Sequence, residues 1–189
     1  PTSKQAVQHL ITLGHERIAF ASNKFDDGDH ADRHRGYLEA MQQNGLNVGP
    51  ELIYRVPAHR PDGAQLLRSL MSVPAPPTAV YITDPSVAVG LINEARSMNL
   101  EIPRDLSVVG FDDRDVRDCV HPKLTAVCQD ALQLGRDTFM QLAKIVSQNG
   151  GGKPQPNVVL QTWLELNQTT GPVSTDQVRV MPDGTRIKY

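Results

Sequence analysis

The stretch from Ala79 to Phe111 reads AVYITDPSVAVGLINEARSMNLEIPRDLSVVGF, and it contains one complete strand–helix–strand unit. Ala79-Val80-Tyr81-Ile82 is a short apolar run of the kind a strand buried on both faces requires. Asp84-Pro85 starts a helix. An aspartate at the cap position accepts from free backbone N–H groups, and proline fits the first turn, where its missing N–H is not needed. Val87, Leu91, Ala95 and Met98 then fall on one stripe. Leu106 to Phe111 is a second apolar run. Two such strands joined by a helix predict a parallel βαβ crossover.

The same unit repeats outward. Ala6, Leu10 and Ile11 form a helical face behind Thr2 and Gln5, which have capping-box spacing, and Gly14 suits the left-handed stop. Arg17 to Ala21 reads as a strand, and the polar stretch Ser22 to Asp32 as a loop. Tyr37, Leu38 and Met41 mark a helix closed by Asn44-Gly45, followed by a strand over Leu52 to Val56. Pro61 begins a helix with Ala64, Leu67, Leu70 and Met71, and Pro74 to Pro77 breaks it. The expected fold class is α/β, an open parallel sheet flanked by helices, from Pro1 to about Val127. A long helix follows from about Ala131 to Val146, with Leu132, Phe139, Leu142 and Val146 on one face. Val158 to Leu166 is a last strand candidate, and Pro182-Asp183-Gly184 is turn chemistry for a hairpin in the tail.

Composition narrows the function. The chain has 189 residues, 39% hydrophobic and 21% charged, ordinary globular values that argue against a disordered tail. No apolar stretch is long enough to span a bilayer. Nineteen Lys and Arg against 21 Asp and Glu leave a net charge of −2, without the basic excess of a dedicated nucleic-acid binder. Cys119 and Cys128 are too few for a disulfide scaffold and fit a reducing compartment. Pro1 is not an initiator methionine and no apolar leader follows it, so the chain is expected to start inside a longer protein.

In open α/β sheets, ligands bind outside the carboxyl ends of the strands. That rule selects Ser22-Asn23 to Arg33, Thr83-Asp84, Phe111-Asp112-Asp113 and Gln129-Asp130. Carboxylates and a guanidinium can each hydrogen-bond two adjacent hydroxyls, which suits a sugar or related polyol, and Phe111 can offer an apolar face. Each residue also has a plainer role. Asp84 can simply cap its helix, Asp112 and Asp113 can make a turn, and Arg33 can form a solvated ion pair with Asp29 or Asp32. Enzyme motifs are sparse: there is no G-x-G-x-x-G, no Walker-type loop and no G-x-S-x-G elbow. Cys119 lies two residues from His121, where a structural role is expected over an activated thiolate, and His15 is placed to cover the end of the first helix.

Leu10-Ile11-Thr12-Leu13-Gly14-His15-Glu16-Arg17-Ile18-Ala19 resembles the "L-x-x-L-G-H-x-x-I-A" opening of the second subdomain in LacI-type transcription regulators. Arg33-His34-Arg35-Gly36-Tyr37 resembles their R-x-x-G-aromatic helix. Pro77-Thr78-Ala79-Val80 through Asp84, Ala88 and Gly90 is a further match, and Ile102 to Asp113 is the most specific one. Pro122-Lys123-Leu124-Thr125, Gln129-Asp130 and Leu134-Gly135 complete a series running from about Ala6 to Thr169. The resemblance implies a periplasmic-binding-protein-like fold of two α/β subdomains with an effector held between them: a sugar, sugar phosphate, nucleoside or purine. It implies effector contacts at Arg33, Asp84, Phe111, Asp112 and Gln129, with no catalytic residue, metal or cofactor. It also implies a cytoplasmic homodimer that meets operator DNA only through a domain outside this chain, with no membrane partner.

On that reading residues 1–130 are the C-terminal effector-binding subdomain. Residues 131–157 form a helix and linker belonging to the largely absent first subdomain, 158–170 a final strand segment, and 171–189 a tail without an assigned role. The face of Phe139, Leu142 and Val146 is expected to pack on another copy of the chain or on protein outside these residues. Two rivals of similar fold remain, a sugar-binding protein for transport and an α/β enzyme using a loop carboxylate such as Asp112 as base. The sequence departs from the family pattern at Thr83, where many members have asparagine, and at Asn167, where arginine is usual. The tail after Gly171 also extends past the usual end.

Overall fold

A computed structural model describes residues 2–23, 25, 27–111, 117–118, 120–147, 157–176, 178–180 and 185–188. The elements are helix α1 (Thr2–Thr12), strand β1 (Ile18–Ser22), α2 (Gly28–Gln43), a 3-10 turn at Pro50–Leu52, β2 (Ile53–Arg55) and α3 (Arg60–Ser72). They continue with β3 (Ala79–Ile82), α4 (Pro85–Ser97), β4 (Ser107–Phe111), β5 (Thr125–Gln129), α5 (Ala131–Ser147), β6 (Thr162–Glu165), β7 (Val178–Val180) and β8 (Arg186–Lys188). Six strands form one sheet in the order β2-β1-β3-β4-β5-β6. The first five are parallel, and β6 runs antiparallel on β5, placing Cys128 opposite Trp163. The fold is therefore α/β, a largely parallel sheet flanked by helices. Among the described residues no helix is long and apolar enough to cross a membrane.

Local chemistry sets the helix ends. Gly14 has φ +92°, its N–H donates to the Ile11 carbonyl at 2.9 Å, and the His15 N–H reaches Leu10 at 3.2 Å. That is the paired closure a left-handed residue permits. Gly45 (φ +69°) and Asn99 (φ 53°) close α2 and α4 in the same way. Asp84 caps α4 as expected, accepting from the Val87 N–H at 3.1 Å.

The helices cover both faces of the sheet. On one face Ala6, Val7 and Leu10 of α1 and Tyr37, Ala40 and Met41 of α2 pack on Ile18, Phe20, Tyr81, Val109 and Val127. On the other, α3 and α4 cover Ala19, Ala21, Val80, Ile82, Val108 and Ala126. The α3–α4 crossing depends on two glycines. A Cβ on Gly63 would overlap the Val87 carbonyl, and one on Gly90 would overlap the Arg60 carbonyl.

Three local expectations changed. The stretch expected as a loop to Asp32 is already helical from Gly28, because the polar residues of the first turns of α2 lie on a solvent-facing side. Strand β5 was not separated from its surroundings by periodicity, since no apolar helical stripe precedes it in the sequence from Asp112 to Lys123. The Thr2 hydroxyl does not serve a capping box; it bonds to Thr162 and ties α1 to β6.

His15 does not lay its ring over the end of α1. Its Nδ1 meets Thr78 Oγ1 at 2.9 Å, and its Nε2 meets Ser107 Oγ at 3.1 Å and the Gly171 carbonyl at 3.0 Å. The ring is buried and joins the entrances of β3 and β4 to the start of the tail. Asn167 donates its side-chain N–H to the Leu124 carbonyl at 3.0 Å, a role confined to the sheet edge. The tail then sends Val178 into the core beneath α3, and β7 and β8 pair as the expected hairpin.

Helix α5 stands apart. It buries none of its residues, and Leu132, Phe139, Met140, Leu142 and Val146 are all more than half exposed.

Candidate functional site

Parallel strands bring their carboxyl ends to one edge. Ser22, Thr83, Phe111 and Gln129 therefore stand in a row at the ends of β1, β3, β4 and β5. The chain leaves β1 toward β2 on one side and enters β3 on the other. The sheet order thus reverses between β1 and β3, where crossover helices diverge and leave a crevice.

Helix α2 starts at that crevice and lays Arg33 across it. The guanidinium carbon sits 3.7 Å from the centroid of the Phe111 ring, and Nη1 donates to the Thr83 carbonyl at 3.3 Å. Nη2 pairs with the Asp29 carboxylate one turn earlier. The expected solvated ion pair therefore exists, but it is one arm of a larger contact. The Arg33 side chain is 16% exposed and Asp29 68%, so the pair itself contributes little and the stacking on Phe111 sets the geometry.

Asp84 uses Oδ1 on its own helix, and Oδ2 has no partner among the described residues, so capping and ligand contact are compatible. Gln129 is half-buried at the far end of the row. Asp112 and Asp113 lie outside the described residues, as does Cys119. The structure thus puts Arg33 on Phe111, with Asp84 next to the Thr83 whose carbonyl Arg33 meets and Gln129 beyond them on the same strand-end edge.

Several residues here fall within the stretches selected at the strand ends but were not named as effector contacts. Thr83 Oγ1 donates to Ser22 Oγ at 2.9 Å, and Ser22 Oγ lies 3.1 Å from His30 Nδ1. Ser22 and Thr83 are buried, and His30 is half-buried in the first turn of α2. Asn23 Oδ1 is buried without a hydrogen-bond partner among the described residues, an acceptor open to a ligand donor. The signal in the sequence was the place of Ser22 and Thr83 at the carboxyl ends of apolar strands, which selected the stretches without pairing the side chains. Nearby, His34 stacks on Phe20 with ring centroids 5.2 Å apart, and Phe25 meets the same ring tilted, at 6.0 Å. Burial holds the His34 ring below its usual pKa, favouring the neutral form. Among the described residues no group of three His, Cys, Asp or Glu side chains is placed to hold a metal ion.

Cys128 is buried in the core, where Arg117 donates to its sulfur at 2.7 Å and meets Glu165 at 3.0 Å, fastening β6 to β5.

Residues 7–170 match the periplasmic binding protein-like domain family. The HTH-type transcriptional repressor CytR of Escherichia coli is 31% identical over 137 residues, covering 72% of this chain and 40% of the repressor. The crystal structure of a LacI family transcriptional regulator from Mycobacterium smegmatis superimposes with a TM-score of 0.76 at 31% identity, covering 91% of this chain and 63% of that one. A transcriptional regulator CelR–cellobiose complex superimposes with a TM-score of 0.77 at 26% identity, covering 88% of this chain and 50% of that one. The chain thus spans about two fifths of the length of CytR and half to two thirds of these structures.

Proposed function

Because the chain belongs to the periplasmic binding protein-like domain family of LacI-type transcriptional regulators, we propose that its strand-edge crevice is one wall of an effector site for a small polyhydroxylated molecule, sugar-like or nucleoside-like. The carrying observation is the guanidinium carbon of Arg33 held 3.7 Å over the Phe111 ring, next in the strand-end row to Asp84, whose Oδ2 has no partner among the described residues. A planar donor and a carboxylate acceptor meet adjacent hydroxyls from two sides, and aromatic rings suit the apolar face of a sugar ring or a base. The likeness to a regulator bound to cellobiose supports a saccharide. Asp112 and Gln129 complete the wall on this reading, and no catalytic step is needed.

On this reading the second wall belongs to an N-terminal subdomain, to which α5 returns. An effector that prefers one arrangement of the two lobes shifts the population toward it, and the shift alters the DNA affinity of an attached reader. Such coupling is typically about 1–3 kcal/mol. A homodimer presents two readers to a two-fold operator.

The test is a thermal-shift panel of sugars and nucleosides on the full-length protein. A ligand at about a hundred times its Kd stabilises the folded state by about 2.7 kcal/mol. The expected result is a shift with at least one panel member, lost in Arg33→Ala, Phe111→Ala and Asp112→Ala without loss of the folded baseline. A full shift retained in all three variants rejects this wall as the site.

A further inference from the structure

The crevice contains a hydroxyl–hydroxyl–imidazole chain whose proton order is set by the fold. Thr83 Oγ1 is the donor to Ser22 Oγ at 2.9 Å. Ser22 Oγ could accept a second time, from a proton on His30 Nδ1 3.1 Å away, but its own buried hydroxyl proton would then have no acceptor among the described residues, so the arrangement that satisfies every group has Ser22 donating to Nδ1. An imidazole nitrogen that accepts carries no proton, so the neutral ring holds its proton on Nε2. Nε2 has no partner among the described residues. Ser22 and Thr83 are 2% and 3% exposed, so water does not compete for the two inner bonds, while the half-buried His30 offers its outer nitrogen to the crevice.

We propose that Thr83 and Ser22 fix His30 as the Nε2–H tautomer, making His30 a specificity-determining donor that selects effectors with an oxygen acceptor facing the start of α2. The inference rests on the effector reading of this crevice. It also gives Thr83 a function as a positioning residue: its hydroxyl orders a donor on the neighbouring helix. Asn23 Oδ1, the unpartnered acceptor that follows Ser22, supplies the complementary preference for a ligand donor nearby.

The test has two arms on the full-length protein. In the first, long-range proton–nitrogen correlation spectra of 15N-imidazole-labelled protein at pH 8 read each neutral tautomer. The expected result is His30 as Nε2–H, becoming a mixture in Thr83→Val and Ser22→Ala, with the signals of His15 at the opposite end of the sheet unchanged. An Nδ1–H ring, or a tautomer indifferent to both variants, overturns the relay. In the second arm, D-glucose, D-ribose, cellobiose and adenosine are screened, and monodeoxy analogues of whichever binds are titrated against the parent protein and His30→Phe. One deoxygenated position is expected to cost the parent about three- to tenfold in affinity, the worth of one neutral hydrogen bond, and to cost His30→Phe nothing. Equal losses in both proteins at every position overturn the contact. If no compound binds, the effector reading fails, and the tautomer result still decides the relay.

Discussion

Helices α4 and α5 carry apolar stripes of similar spacing, yet α4 buries seven residues and α5 buries none. Helix α4 lies between the sheet and α3, closely enough that Gly90 leaves no room for a methyl group against Arg60. Helix α5 leaves the sheet after Gln129 and presents Leu132, Phe139 and Val146, each about two thirds exposed or more, to solvent. An amphipathic pattern therefore reports that a face needs cover, while the identity of the cover depends on chain elsewhere. A contiguous apolar surface of this kind marks an interaction site rather than a finished exterior.

The largest effect falls where α4 is tightest. Gly90→Val drives its side chain into the Arg60 backbone and is expected to cost more than about 4 kcal/mol, since overpacking against backbone has no rotamer escape. Urea unfolding followed by circular dichroism measures it. A loss under about 1 kcal/mol would mean that α3 and α4 can separate freely, and the contrast with α5 would weaken.

The next effect concerns the tail. His15→Ala leaves the Thr78 and Ser107 hydroxyls and the Gly171 carbonyl short of one buried partner, an expected cost of about 1–3 kcal/mol. Burial lowers the ring's pKa below 6.5, assisted by His9 and opposed by the Gly171 carbonyl. The unfolded chain therefore takes up the proton first. Stability is fully present above pH 6.5 and declines as pH falls from 6.5 through the lowered folded value. His9 and His34, also lowered by burial, act in the same direction. Melting temperatures between pH 8 and 5 should show this decline, shallower in His15→Ala. A parallel decline in the variant would remove His15 from the account.

These regions also differ in how much the sequence revealed. The β3–α4–β4 unit was legible because its signals are local: an apolar run, an Asp-Pro start, a 3.6-residue stripe. The first turns of α2 were hidden because exposed helical residues have loop-like composition, and β5 because no apolar helical stripe precedes it in the sequence. Arg33, Phe111 and Asp84 were named in advance, partly through family resemblance. The Ser22–Thr83–His30 chain was not, because it joins residues 61 and 8 positions apart that only the parallel register brings together. His15 was visible as a motif residue, but its partners, Thr78, Ser107 and Gly171, lie far along the chain.

A smaller effect sets one glycine against another. A Cβ on Gly135 in α5 would meet nothing within 4 Å, the reverse of Gly90. Gly135→Ala is expected to raise stability by about 0.5–1 kcal/mol, because alanine loses less backbone entropy in a helix. The helical circular dichroism signal and the urea midpoint should rise together. A drop would show that this side of α5 is already occupied by a neighbour.

The smallest effect within this lobe belongs to Phe139. Its ring is 68% exposed in α5, so Phe139→Ser removes little buried area and should change the unfolding free energy of the 189-residue chain by under about 0.5 kcal/mol. The same substitution in the full-length protein is expected to cost about 3–5 kcal/mol, the range for losing a buried aromatic ring, if an N-terminal subdomain or a second copy covers the helix. The ratio of the two costs measures the cover directly. Sedimentation velocity of the 189-residue chain separates the two covers. A monomer whose mass is the same with and without the substitution assigns the face to the other subdomain. A dimer that dissociates in Phe139→Ser assigns it to a second copy. Equal small costs in both proteins would leave α5 bare in the whole molecule and would break the contrast with α4.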